Sequence, residues 1–406
     1  MKNNDKDQLD ILFVLFDIGL YLENSAVFQS QVGDQMLALS SYGYRVGILT
    51  NYLDKELFQE KIGDKLEQAG ISVFAIKKKK ILIDLLGMSL HHIRITKKYD
   101  VSQSYVRGLW GPLIIKLLNP FRKHKYVYDV RGDVADEFTN VGGNKIKLRI
   151  YLWLETQGIL NAHKISVVSN LLGQVVKERT GWPLDYSVIP CCINSPSNLI
   201  DGNELKIVRQ RIGFSSEHIV FVYSGGLSHY QQVPKMLSLW ADFLDFNDVR
   251  FLLLTNQDPH SHPTSIEYIK KFGDKLVHLK LPMEEVIPTV SSCDIAFMLR
   301  EDIPLNNAAS PVKFAEYLAS GAFIVGSPNI GDASRLITEN DLGILINPND
   351  LKEGRGMLKK LVVDFDQDKR EQVRKNSRKL LHSNYTWESH ELRYVELYGE
   401  VSKEKN

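Results

Sequence analysis

Only three cysteines occur in this chain of 406 residues, and two of them, Cys191 and Cys192, are adjacent while Cys293 lies far downstream. That spacing excludes a disulfide framework and the paired ligands of a zinc site, and it fits a reducing cytoplasm. An excess of one charge is equally missing. Fifty Lys and Arg stand against 49 Asp and Glu, a net charge of +1, so no global field points to nucleic acid. The chain has no apolar run of bilayer length. Its polar start, Met1 to Asp10, followed by an apolar run that soon meets Asp17, reads as neither a signal peptide nor an anchor. No histidine cluster announces a metal, and none is expected. His229 and the pair His91-His92 lack partners at ligand spacing and read as structural. Cys191 and Cys192 read as packing residues, since nothing nearby in sequence would lower a thiol pKa.

What is present is length enough for two domains of about 200 residues each, with 44% apolar and 24% charged residues, an ordinary globular composition. Short apolar runs alternate with helical stretches. The strand candidates of the first half are Ile11–Phe16, Val46–Thr50, Ile71–Ala75, Val101–Tyr105, Tyr126–Asp129, Ile165–Val168 and Ser187–Ile189. A polar stretch from Asn194 to Asn203 breaks the rhythm and marks a hinge. A second series then follows: Ile219–Tyr223, Phe251–Thr255, Leu276–Leu279, Ile295–Leu299, Phe323–Gly326 and Gly343–Ile346. Alternation of this kind predicts an α/β fold with two Rossmann-like halves, ligands binding at the carboxyl ends of parallel strands. The stretch from Asp368 to about Val401 is helical in pattern and contains Trp387.

The most informative segment is Ser310-Pro311-Val312-Lys313-Phe314-Ala315-Glu316-Tyr317-Leu318-Ala319-Ser320-Gly321, followed by the apolar run from Ala322 to Gly326. Ser310 suits a helix cap, Pro311 the first helical position and Gly321 a left-handed stop. At about 100° per residue, Phe314, Leu318, Ala315, Ala319 and Val312 share one arc, and Lys313, Glu316, Tyr317 and Ser320 the other. A lysine in the first turn opposes the helix dipole. An anion docked on the free N–H groups would favour it, with Glu316 one turn on accepting from sugar hydroxyls. A solvated Lys–Glu pair at i,i+3, worth about 0.2–0.5 kcal/mol, fits the same pattern.

The run S-P-x-K-x-x-E-Y-L-A-x-G before an apolar strand resembles the donor-site motif of retaining glycosyltransferases of family 4, of the bacterial capsule, O-antigen and exopolysaccharide type. The resemblance implies the GT-B architecture, two Rossmann-like domains with parallel sheets facing across a cleft. It divides the chain into an acceptor-binding domain, 1–197, a nucleotide-sugar-binding domain, 198–380, and a terminal helix, 381–406, crossing back. In that family the second Glu of an E-x7-E motif binds the nucleotide ribose, and Glu316 occupies its place. The first Glu falls on Ala308. Gly225 and Gly226 match a glycine loop that approaches the diphosphate, but the family's usual Arg falls on Gly226 and its usual Lys near Gln231. Arg300 is the substitute cation beside Lys313, or else a partner for Glu301 or Asp302.

Further positions follow from the same likeness. Tyr128-Asp129-Val130-Arg131-Gly132-Asp133 resembles a cleft segment in which Asp129 or Asp133 orients an acceptor hydroxyl and Arg131 reaches the donor phosphates or the acceptor. A local ion pair is the alternative there. Asn24 and Ser25 fall on the family's acceptor loop. The implied reaction is metal-independent, cofactor-free sugar transfer with retention, from a nucleotide sugar to a lipid-linked or oligosaccharide acceptor. Two other activities fit the architecture: a nucleotide-sugar 2-epimerase and a non-catalytic GT-B partner subunit.

Charge is also unevenly placed. Between Lys77 and Lys125 there are 12 basic residues against Asp84 and Asp100, around helical candidates Ile81–Ile95 and Trp110–Leu118. A basic, apolar surface suits an anionic membrane, each cation adding about 1 kcal/mol. Peripheral contact on the inner face of the cytoplasmic membrane is therefore expected; two ordinary crossover helices with solvated lysines are the alternative.

Overall fold

The structure, a computed structural model, describes residues 8–16, 28–118, 120, 123–132, 144–183, 185–195, 202–259 and 263–400. Asn24, Ser25 and Asp133 lie outside them. The chain divides into two units: Met1–Asn194 with Trp387–Asn406, and Ser195–Thr386.

The first unit holds seven strands: β1 Ile11–Val14, β2 Val46–Tyr52, β3 Ser72–Lys77, β4 Gln103–Arg107, β5 Tyr126–Val130, β6 Lys164–Val167 and β7 Ser187–Val188. All neighbours pair in parallel, in the order β3-β2-β1-β4-β5-β6-β7. The second unit repeats the plan with six strands: β8 Ile219–Ser224, β9 Val249–Leu254, β10 Leu276–Leu279, β11 Ile295–Met298, β12 Phe323–Gly326 and β13 Gly343–Leu345. Their order is β10-β9-β8-β11-β12-β13, again parallel. In both sheets the chain order reverses beside the first strand, between β1 and β4 and between β8 and β11. A doubly wound sheet opens a ligand crevice at such a switch point, outside the carboxyl ends of its strands.

The strands are mostly apolar because helices cover both faces, and a parallel sheet buried on two sides has no solvated face to show. Phe221 on β8 meets Trp240, Phe243, Phe251 and Phe297, ring centroids 5.2–6.3 Å apart. In the first unit the core is completed from far along the sequence: Trp387, Tyr394 and Leu397 pack with Phe13, Val32, Ile48 and Tyr105. Backbone and side-chain bonds fasten the returning segment, Trp387 N–H to Ile193 C=O at 3.0 Å and Tyr44 Oη to Gly399 C=O at 2.7 Å.

Two helices of the first unit break the usual pattern on their outer sides. The helix Ile81–Lys98 buries Leu85, Met88 and His92 but exposes Ile81, Leu82, Ile83, Leu86 and Leu90, Leu82 to 72%. The helix Lys145–Leu160 exposes Ile146 at 68%, Ile150 at 50% and Trp153 at 62%. The short helix Trp110–Lys116 packs against both. Among the described residues no helix is long and apolar enough to cross a membrane.

Candidate functional site

The expected donor helix runs Val312–Ser320 and stops at Gly321 with φ +67°. Its start differs from the sequence reading. Pro311, with φ −73° and ψ 128°, is itself the cap residue and makes no side-chain cap bond, and its carbonyl accepts from Phe314 N–H at 2.9 Å. Proline's fixed φ is compatible with the extended cap conformation, so the helix opens one residue later and Ser310 stands half-buried before it. The polar arc is not solvated either. Tyr317 is fully buried, its hydroxyl donating to Phe297 C=O at 3.0 Å and accepting from Ser224 N–H at 3.1 Å. It ties the helix to the ends of β8 and β11. The helices Met283–Ser291 and Gln367–Leu380 close in on other sides.

Lys313 is therefore held inside the protein, at 8% exposure. Its Nζ donates to Gln231 Oε1 at 3.2 Å and stands 4.0 Å from the Tyr223 ring centroid. Gly225, at φ +137°, closes the same space: a Cβ there would lie 2.8 Å from the lysine Nζ. This is why a glycine is needed at the end of β8, where close approach and an unusual φ coincide. Gly226 carries no such restriction; its carbonyl accepts from the Tyr223 hydroxyl, and Gln257 accepts from the following Leu227 N–H. Burial pushes the Lys313 ammonium well below the usual lysine range, and the charge of Arg300 pushes it further, against the pull of Glu316. Glu316, half-buried, is raised by burial and lowered by Lys313. Arg300 follows β11; its Nη1 donates to Asn306 Oδ1 at 3.1 Å and its guanidinium lies 5.6 Å from the Tyr230 ring. The acids beside it are engaged elsewhere, Glu301 with His229 Nδ1 at 3.3 Å and Asp302 with the Asn307 amide at 3.1 Å. Ala308 is buried at 5%. Next to the glycine loop a cavity of about 320 Å³ is lined by Leu227, His229, Gln232, Pro234, Lys235 and Glu301.

In the first unit Asp129 is an anionic hub at 1% exposure. Arg107 Nε donates to its Oδ2 at 3.0 Å, and Arg131 Nε and the Tyr105 hydroxyl bind the same oxygen, while the Ser166 hydroxyl takes Oδ1. Burial works to raise its carboxyl, but the two guanidinium groups and the hydroxyl donors prevail and hold it at about 2. Three of these four donors crowd Oδ2 and one takes Oδ1, so Asp129 positions Arg107 and Arg131. Sequence reasoning missed Tyr105 and Arg107. The signal was available, since Arg107 closes a core strand with a charge as Asp129 nearly does. Cys191 and Cys192 are buried, and burial drives the Cys192 thiol well up. His92 is buried against Ser104 Oγ at 3.0 Å, and among the described residues no group of three or more His, Cys, Asp or Glu is placed to hold a metal.

Two doubly wound parallel domains with these switch points make the GT-B fold. Among solved structures the chain is similar to a glycosyltransferase from Rickettsia africae, with TM-score 0.71, 17% identity and coverage of 98% of this chain and 100% of that one. It is similar to Anabaena Alr3699/HepE in complex with UDP, with TM-score 0.71, 13% identity and coverage of 96% and 100%. Sucrose-phosphate synthase from Thermosynechococcus elongatus gives TM-score 0.67, 14% identity and coverage of 96% and 98%. No protein-family model and no curated protein sequence matches the chain.

Proposed function

We propose that the chain is a glycosyltransferase that moves a hexosyl group, with retention, from a nucleotide-sugar donor to a lipid-linked or oligosaccharide acceptor in building a bacterial surface polysaccharide. The observation that carries this reading is Lys313: an amine buried at the positive end of a helix, beside Arg300 and under a glycine loop. A cation is costly there until an anion arrives. A diphosphate on the first-turn amides would be held by Lys313 and Arg300, and the charge that grows on it as the sugar leaves would meet preorganised donors. Glu316, one turn on, would accept from the ribose hydroxyls. The neighbouring cavity has the size and the mixed polar and apolar wall of a small-ligand site, and we assign it to the transferred sugar. Retention and the family 4 assignment rest on the motif resemblance.

Membrane contact is supported by the outward apolar rows. Leu82, Leu86 and Leu90 follow the lysines Lys77–Lys80, and Ile146, Ile150 and Trp153 alternate with Lys145, Lys147 and Arg149. Apolar side chains flanked by cations and one tryptophan suit the headgroup boundary of anionic lipid. The test is incubation of the purified chain with a panel of nucleotide sugars and lipid-linked acceptor extracts. Structures of HepE hold UDP and UDP-glucose, so UDP-sugars are the first to try. Expected are transfer with one donor and a rise in melting temperature with its nucleoside diphosphate. No transfer and no thermal protection by any member of the panel would end the reading.

A further inference from the structure

Among the described residues lining the cavity beside the glycine loop, Glu301 is the one acid. Its Oε2 is buried and takes no hydrogen bond, not even from His229 Nδ1 at 3.3 Å. An ionised carboxylate can only accept, and a buried oxygen left without a donor costs free energy. The backbone around it is fixed on both sides. Glu301 N–H donates to Tyr230 C=O at 2.9 Å, and the fully buried Asn306 donates through Nδ2 to Glu301 C=O at 2.9 Å. The neighbouring turn is closed by Gln232, whose N–H donates to His229 C=O at 3.1 Å. Lys235, the amine of the wall, is engaged elsewhere: its Nζ donates to Asn349 Oδ1 at 3.0 Å in an exposed bond. Leu227, Val233 and Pro234 make the remaining wall apolar. A rigidly held acceptor set in an apolar wall is how small-ligand sites orient what they bind. A pyranose offers both counterparts, hydroxyl donors on its rim and a C–H face.

We propose that Glu301 is a specificity-determining residue of the transfer: its carboxylate accepts from a hydroxyl of the transferred sugar, a neutral sugar whose C–H face lies on Leu227, Val233 and Pro234. This rests on the proposed function in taking the cavity as the place of that sugar. A carboxylate serves better than an amide because an ionised acceptor makes the stronger bond to a hydroxyl. It also repels a sugar that carries an anionic group there, and an analogue lacking the hydroxyl leaves the acceptor unpaired.

The experiment reads binding by the full chain, not transfer. The native chain, Glu301→Leu and Lys313→Met are titrated calorimetrically with UDP, UDP-glucose, UDP-galactose, UDP-N-acetylglucosamine and UDP-glucuronate, and with GDP and GDP-mannose. Expected is one neutral sugar nucleotide that binds the native chain at least about tenfold tighter than its own nucleoside diphosphate, as a hydrogen bond to a charged group allows. In Glu301→Leu that advantage should vanish while the nucleoside diphosphate binds as before; in Lys313→Met both should weaken alike. An advantage kept in Glu301→Leu, an equal loss for nucleotide and sugar nucleotide, or UDP-glucuronate as the tightest ligand overturns the proposal. Should Glu301→Leu fail to fold, Glu301→Gln replaces it, and an undiminished advantage there refutes the role. If no nucleotide binds, the proposed function fails, and saturation-transfer NMR with free glucose, galactose, mannose and glucosamine decides for Glu301 alone. A neutral hexose signal in the native chain, lost in Glu301→Leu, supports it; no such signal, or one from glucosamine only, overturns it.

Discussion

The amine of Lys313 lies 4.0 Å from the centre of the Tyr223 ring and 3.2 Å from Gln231 Oε1, with no carboxylate in either place. Aromatic face and amide oxygen are weak substitutes for water around an ammonium. The buried amine is therefore costly where it stands.

Lys313→Met keeps the length of the side chain and removes that amine. Turnover should fall about 10²-fold or more, since one preorganised electrostatic donor typically contributes about 2.7–4 kcal/mol. Melting at neutral pH should stay or rise. A large loss of stability with normal turnover would make the lysine structural instead.

Protons should move with the nucleotide. Burial and Arg300 depress the Lys313 amine in the empty site, and a bound diphosphate would draw it back up, so binding takes up a proton in the window between the two values. Calorimetric titration of nucleoside diphosphate in buffers of different ionisation enthalpy measures this directly. Affinity should decline as pH climbs through that window. Zero uptake across the whole accessible range would show that Lys313 does not face the diphosphate.

Asp129→Asn should cost about 3–5 kcal/mol at neutral pH, because two buried guanidinium groups lose their charge partner. The native carboxyl is depressed to about 2 from 3.8. The stability it confers is thus complete above the unfolded value and lost as pH falls through the folded one. Urea unfolding of the two proteins at pH 7 and near pH 3 checks the sign: the gap should shrink by about 1 kcal/mol at pH 3, out of about 2.5 kcal/mol once pH is below both values, at about 1.4 kcal/mol per unit. A gap independent of pH would exclude charge as its cause.

On the outer side of the first unit, Leu82→Glu with Trp153→Glu alters two side chains that are 72% and 62% exposed. Folding stability should hardly move. Sedimentation with anionic vesicles should drop at least tenfold, because burying one such side chain in the lipid boundary contributes about 1.5–3 kcal/mol. Equal sedimentation of native and doubly changed chains would mean that these rows do not meet the membrane.

How far the sequence could be read depended on range. Strands were legible because a strand buried on both faces needs nothing but apolar, β-rich residues, and Leu276–Leu279 and Phe323–Gly326 fall where the pattern puts them. Gly321 was legible from helix-stop chemistry alone. Ser310 was not, since either it or Pro311 can take the extended cap conformation and only the hydrogen bonds decide. The fate of the Lys313 face was hidden for a different reason. Periodicity shows that two arcs differ, and it cannot show that neighbouring helices will cover both. The row Ile146, Ile150 and Trp153 was invisible likewise, because apolar residues at helical spacing look the same whether they turn inward or outward. The pairing of Arg107 with Asp129 spans 22 positions and exists only through the register of β4 on β5.

One consequence of the connectivity concerns synthesis. The first unit is discontinuous: its core takes Trp387, Tyr394 and Leu397 from the far end, after 195–386 have been made. On the ribosome the N-terminal 194 residues emerge with a gap where three large apolar side chains belong, and they must wait for the whole second unit, which is continuous and can fold as soon as it emerges. The unit translated first is therefore the one completed last, and in the interval its unfilled core is a surface that chaperones, or other chains, can reach.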